Sequence, residues 1–182
     1  MRGVGVIAGV ALLTLVAVGD DPKPPVSRLK ISPAVVCTKI DGYRRFKPRK
    51  PVELTKDEKL VVYYEPTGHQ TESRAGVFRA HLVQDGSVRR ATVKSPVWER
   101  EKMVEYKPEA STRPDYLYIE STVSLKTLEP GEYVFDIVLR DIISGSTATQ
   151  SVPFMVIKRP AESEADPKST TDRTPSSPTK RR

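Results

Sequence analysis

The chain has 182 residues and a formal net charge of +7, with 16 Pro, two His, one Cys and no Asn. A single cysteine excludes an internal disulfide, the missing Asn excludes N-glycosylation acceptors, and so few His and Cys leave little for a metal or nucleophilic site. The basic balance permits contact with anionic polymers, but no RNP, KH or helix-turn-helix pattern accompanies it, so nucleic acid is not an expected partner.

Met1-Arg2 is a short positive start, and Val4 to Val18 is apolar or Gly except for Thr14. Ala17-Val18-Gly19 then places small residues at a cleavage site, and Asp20-Asp21-Pro22 breaks the run. These are the three parts of a secretory signal peptide. The apolar run is shorter than the ~20 residues of a spanning helix. Residues 1–19 are therefore expected to be a signal, which sends the chain to the periplasm, the cell envelope or the medium. A retained anchor is the alternative. Membrane contact is expected only through such an anchor or through the basic end Lys180-Arg181-Arg182.

Residues 20–28 read as a Pro-stiffened linker. From Leu29 the signals are β. Leu29-Lys30-Ile31 and Val35-Val36-Cys37 form a first strand interrupted at Pro33. Cys37 sits in an apolar stretch and is expected to be a small buried hydrophobe. Lys59 to Tyr64 is a β-branched and aromatic run that ends before Pro66 and Gly68, as a buried strand does. Val77 to Val83 alternates, with Phe78, Ala80 and Leu82 on one face and Arg79 and His81 on the other. Asp85-Gly86 follows and then Val88 to Val93, which predicts a hairpin turning at Asp85-Gly86.

Residues 94–114 carry many charges and three prolines, so a long connection is expected there. Tyr116 to Leu125 alternates again. Tyr133 to Asp141 sends Tyr133, Phe135, Ile137 and Leu139 one way, Ser144-Gly145 makes a turn, and Val152, Phe154 and Val156 mark a last strand. This totals about seven strands, with turn signals spaced as in an antiparallel β-sandwich. The expected domain spans residues 29–158. Residues 159–182 are Pro, Ser, Thr and charge, and are expected to be a disordered tail.

The stretch from Leu128 to Ile157 reads Leu-x-Pro-Gly-x-Tyr-x-Phe-x-Ile-x-Leu-x-Asp-x-x-Ser-Gly, followed by Val-x-Phe-x-Val. It resembles the last two strands of Ig-like and fibronectin-type sandwiches of secreted bacterial proteins. A looser resemblance covers Val36 to Glu65, where Gly42, Tyr43 and Phe46 precede a strand ending Tyr-Tyr-Glu. The resemblance implies an Ig-like fold with Gly131, Tyr133 and Phe135 as structural residues. Tyr133 matches a tyrosine corner, its hydroxyl bonding back to the chain near Leu128. No activity, cofactor or catalytic residue is implied.

No catalytic constellation stands out. His69 and His81 have no acidic cluster at ligand spacing, and no Gly-x-Ser-x-Gly elbow or phosphate loop is present. The binding candidates are basic. Arg79, His81, Arg89 and Arg90 lie across the expected hairpin, and Arg44 and Arg45 lead a second cluster around Phe46. Such patches suit an anionic polysaccharide, phospholipid headgroups or an acidic partner; a solvated face guarding a strand edge has the same composition. Tyr116 and Tyr118 share one face, and Tyr43, Trp98 and Tyr106 fall in expected loops, so these rings either form a sugar platform or pack across strands. The leading expectation is a non-catalytic module that makes protein–protein contacts in the envelope. The alternative is a carbohydrate or anionic-polymer binder.

Overall fold

The computed structural model describes residues 29–114 and 116–159. The expected signal, linker and the tail beyond Arg159 lie outside the described residues. Every element found among the described residues is a strand. In chain order they are β1 (Lys30–Ile31), β2 (Val35–Gly42), β3 (Arg45–Pro48), β4 (Glu53–Thr55), β5 (Lys59–Tyr64), β6 (Pro66–Thr67) and β7 (Glu72–Arg74). Then follow β8 (Val77–Arg79), β9 (Leu82–Arg90), β10 (Pro96–Tyr106), β11 (Glu109–Ala110), β12 (Ile119–Ser124), β13 (Gly131–Asp141) and β14 (Thr147–Ile157). Seven of these run six residues or more, and the other pieces are of two to four residues.

Two larger sheets carry the fold. One has the order β10-β9-β13-β14-β4 and the other β12-β5-β2-β3. Neighbours are antiparallel except for β14 and β4, which run parallel. Alternation explains the layering, because successive side chains of a strand point to opposite faces. From the first sheet Leu82, Val88, Phe135, Ile137, Leu139, Val152, Phe154 and Val156 turn inward. Val36, Leu60, Val62, Tyr64, Ile119 and Val123 of the second join them in one buried cluster. Burying each such side chain contributes about 1.5–3 kcal/mol. An all-β chain with two sheets sharing one core is consistent with a β-sandwich.

A polar seam crosses that core. Tyr64 of β5 donates to Gln84 Oε1 of β9 at 2.7 Å, and Ser121 of β12 donates to the same oxygen at 2.6 Å. Gln84 returns a weak bond to Met103 Sδ at 3.8 Å. Burial pushes the Tyr64 phenol far up, so it stays a donor. At the other end of β13, Tyr133 donates to the carbonyl of Glu129 at 2.8 Å, one residue from the expected acceptor. Gly131 has φ 153°, and a Cβ there would crowd Arg90, whose guanidinium lies 5.4 Å from the Tyr133 ring centre. The β13–β14 turn is built on buried Asp141, which accepts from Ile143 N at 3.0 Å and Ser144 Oγ at 2.7 Å, while Gly145 takes φ 72°.

Two expectations are corrected. Asp85-Gly86 makes no hairpin; both residues lie inside the continuous strand β9, paired with Val138 and Ile137 of β13. Gly86 is there for space. A Cβ on it would sit 2.8 Å from the Phe135 ring and 2.9 Å from Met103 Sδ. A strand glycine marks close approach as well as turning. The expected connection over residues 94–114 is in large part β10, the eleven-residue edge of the larger sheet. Its pairing with β9 shifts register between Pro96 and Trp98 and between Arg100 and Val104, and Lys102 takes φ 48°. These bulges scramble the period-two pattern that would have revealed the strand.

Candidate functional site

With no hairpin at Asp85-Gly86, the expected basic face comes apart. Arg79 of β8 pairs with Glu109 at 3.1 Å. His81 lies 2.9 Å from Glu105 Oε1, an oxygen that Lys107 also reaches at 2.8 Å. Lys107 first and His81 second hold the Glu105 carboxyl below its usual range. Arg89 donates to Asp136 at 2.7 Å across the β9–β13 pair, and Arg90 is laid over the Tyr133 ring. Farther along the same outer face, Arg140 pairs with Asp85, and the Lys102 amide donates to that carboxylate at 2.8 Å. Burial alone would raise the Asp85 carboxyl, but the bonds from Arg140 and Lys102 outweigh it and the net shift is downward. Each of these arginines is already engaged within the protein.

The second cluster behaves differently. Strands β2 and β3 turn through Tyr43-Arg44, with Gly42 at φ 136° and Arg44 at φ 55°. Tyr63 is the outward neighbour of inward Val62 and Tyr64 on β5, and it is buried because rings cover it. Phe46 lies 4.4 Å from Tyr63 between ring centres, and Tyr118 stacks on it at 5.5 Å. The Arg44 amide donates to the Tyr63 hydroxyl at 2.9 Å. That hydroxyl donates to Glu65 Oε1 at 2.8 Å, and Glu65 Oε2 faces Arg44 Nε at 3.4 Å. Burial pushes the Tyr63 phenol up, the Arg44 amide pulls the other way, and the Glu65 carboxylate adds to the rise, so Tyr63 remains a donor. The three groups close a ring that presents Arg44.

Outside this scaffold stand the exposed members. Tyr116 is 74% exposed, its ring centre 5.4 Å from that of Tyr43. The Arg44 guanidinium lies 5.1 Å from the Tyr43 ring centre. Arg45 bonds the Asp41 carbonyl at 3.1 Å, and Arg49 is held by Glu58, so neither joins the patch. Trp98 belongs to β10 of the other sheet. The arrangement offers tilted ring faces, a guanidinium and a carboxylate side by side. That set suits stacking and hydrogen bonding of a docked surface.

Of the expected site residues, Arg44 and Phe46 are brought together. Arg45 lies next to them but is turned to Asp41, while Arg79, His81, Arg89 and Arg90 fall elsewhere. Sequence reasoning missed Tyr63 and Glu65. The signal was available, because inward Leu60, Val62 and Tyr64 force Tyr63 onto the opposite face, between the β2–β3 turn and the approach to β12. Among the described residues no three His, Cys, Asp or Glu side chains gather as a metal site. Cys37 is buried, and burial, with Glu120 adding to it, pushes its thiol up. No protein-family model matches the chain, and no curated protein matches it.

Proposed function

We propose that the chain is a non-catalytic, exported Ig-like module that contacts a protein partner in the periplasm or cell envelope through Tyr43, Arg44 and Tyr116. One observation carries the reading: Tyr116 is 74% exposed and stands against Tyr43, whose ring also lies 5.1 Å from the Arg44 guanidinium that the Tyr63–Glu65 scaffold holds in place. Tyr and Arg are the residue types that concentrate binding energy at protein interfaces. Export rests on the three-part segment of residues 1–19.

The Ig-like assignment draws on particular features. The Tyr133 bond to Glu129 has the geometry of a tyrosine corner, at the start of the penultimate strand and two residues before the core residue Phe135. The order of the long strands agrees with the Ig plan for six of the seven, the third, sixth and seventh in one sheet and the first, second and fifth in the other; the fourth, which the constant-type plan sets with the fifth, pairs with the third instead.

Carbohydrate binding is the second reading, favoured by the exposed Tyr116 ring beside half-buried Tyr43. Its anionic-polymer form is weakened by the ion pairs that engage Arg79, Arg89 and Arg140. The test is retention of a discrete envelope protein by the immobilised full chain. Substituting Tyr116→Ala together with Arg44→Ala should release that protein while the unfolding midpoint stays put. Retention that survives both substitutions overturns the reading. Salt-sensitive binding to anionic glycan beads, lost in Arg89→Ser with Arg90→Ser, would transfer the function to polymer binding.

A further inference from the structure

Arg44, Arg49, Arg79, Arg89 and Arg140 each face a carboxylate. One face of the β2–β3 hairpin departs from that rule. Lys39 stands directly opposite Lys47, and Ile40 opposite Phe46. Phe46 turns to Tyr63, so Lys39, Lys47 and Arg45 take the other face, because neighbours on a strand alternate. All three are exposed. The Lys39 ammonium meets the Asp41 carboxylate at 2.7 Å, while Arg45 donates to the neutral Asp41 carbonyl at 3.1 Å. Among the described residues neither Arg45 nor Lys47 has an ion pair. Three cations thus share one carboxylate. Like charges directly opposite on a ladder are destabilising, so Lys39 and Lys47 weaken the hairpin in the free chain. The groove from Lys47 toward β4 adds no surplus: Arg49 is held by Glu58, and exposed Lys50 has exposed Glu53 in the same lining.

We propose that Lys39, Arg45 and Lys47 form a docking face for an extended acidic segment of the protein partner, with Asp or Glu at alternate positions. The inference rests on the reading of a protein contact at Tyr43, Arg44 and Tyr116, and it names that partner's chemistry. The occupant follows from charge and repeat. Arg45 and Lys47 are two residues apart on β3, a repeat of about 6.7 Å. An extended peptide with acids at alternate positions carries the same repeat, so two of its carboxylates reach Arg45 and Lys47 together. A carboxylate at Lys47 also answers Lys39 across the ladder and relieves the repulsion between the two. Arg45 follows Arg44 in the chain, so this face borders the ring patch at the turn. Charges arranged to complement a partner set its choice and speed its approach.

The test titrates the full chain into a fluorescent peptide of alternating Glu and Ser and reads anisotropy, with thermal unfolding measured alongside. The peptide should bind, dissociate as salt rises, and bind about tenfold or more weakly after Lys47→Glu or Arg45→Glu. Lys126→Glu, which reverses an exposed cation outside the hairpin, should leave binding unchanged. Lys47→Glu should also raise the unfolding midpoint, because it turns the repulsion from Lys39 into an attraction. No binding of the peptide, equal binding by the hairpin variants, or equal weakening by Lys126→Glu overturns the proposal. So does weakened binding in Lys47→Glu that comes with a lowered midpoint. Capture of phosphatidylglycerol vesicles or a sulfated glycan in preference to the peptide overturns it too, and gives the face to a lipid or a polysaccharide. Failure of the ring patch is separable: an envelope protein released by Tyr116→Ala but held by Lys47→Glu overturns this inference alone, and peptide binding with no envelope protein retained overturns the ring-patch reading alone.

Discussion

The outer faces of the two sheets use the same residue types to opposite ends. On the larger sheet, charge is laid across strands: Arg89 on Asp136, Arg140 on Asp85. Each guanidinium there ties one strand to the next. On the smaller sheet, Arg44 is held by a backbone turn, Tyr63 and Glu65, and its guanidinium faces half-buried Tyr43, against which exposed Tyr116 stands. An arginine engaged across a ladder supports the fold; an exposed arginine held beside the Tyr43–Tyr116 ring pair is available to a partner. Net charge does not distinguish the two, because it counts residues and ignores what each one faces.

The sharpest way to break this comparison is at the ladder sheet itself. Gly86→Val drives a side chain into Phe135 and Met103 and should cost about 3 kcal/mol or more, read by chemical denaturation. Wild-type stability in that variant would mean that β9 can move away from β13. Next comes Asp85→Asn, which leaves Arg140 and the Lys102 amide with a neutral partner and should cost about 1.5–3 kcal/mol near neutral pH. The sign with pH follows from the lowered carboxyl. Its stabilisation is complete above the unfolded value of about 4 and is lost as pH falls through the folded value. Melting curves of the native chain and Asp85→Asn should therefore converge in acid; a constant gap would assign the loss to something other than ionisation.

Smaller effects sharpen the contrast. Tyr133→Phe removes the bond to Glu129 and should cost about 1 kcal/mol, with partner binding unchanged. Tyr116→Ala should change stability by less than about 0.5 kcal/mol, because the ring is exposed, yet weaken partner binding about tenfold or more. The opposite pattern, an unstable but binding-competent variant, would make Tyr116 a packing residue.

Strands with unbroken alternation are legible in the amino-acid sequence alone. The run expected over Lys59–Tyr64 is β5, and Tyr133, Phe135, Ile137 and Leu139 all turn into the core. Asp85-Gly86 misleads because Asp-Gly is a strong turn signal, and nothing local tells a glycine that turns from one that makes room for Phe135 and Met103. Strand β10 is hidden by its own bulges. The site is half legible for a related reason. Arg44 and Phe46 are neighbours in sequence, but Tyr63, Glu65 and Tyr116 join them only through pairing of distant strands. The basic hairpin rests on a connection that does not exist; Arg79 and Arg89 find acids on distant segments, and Arg90 finds the Tyr133 ring.

The most direct test of the central claim places a photo-cross-linking residue at position 116 of the full chain, with a matched control at position 138 on the ladder face. Irradiation in envelope preparations should join position 116 to a discrete second protein, identified by mass spectrometry, and leave position 138 unjoined. Adducts formed equally at both positions, or only self-adducts at position 116, would contradict it.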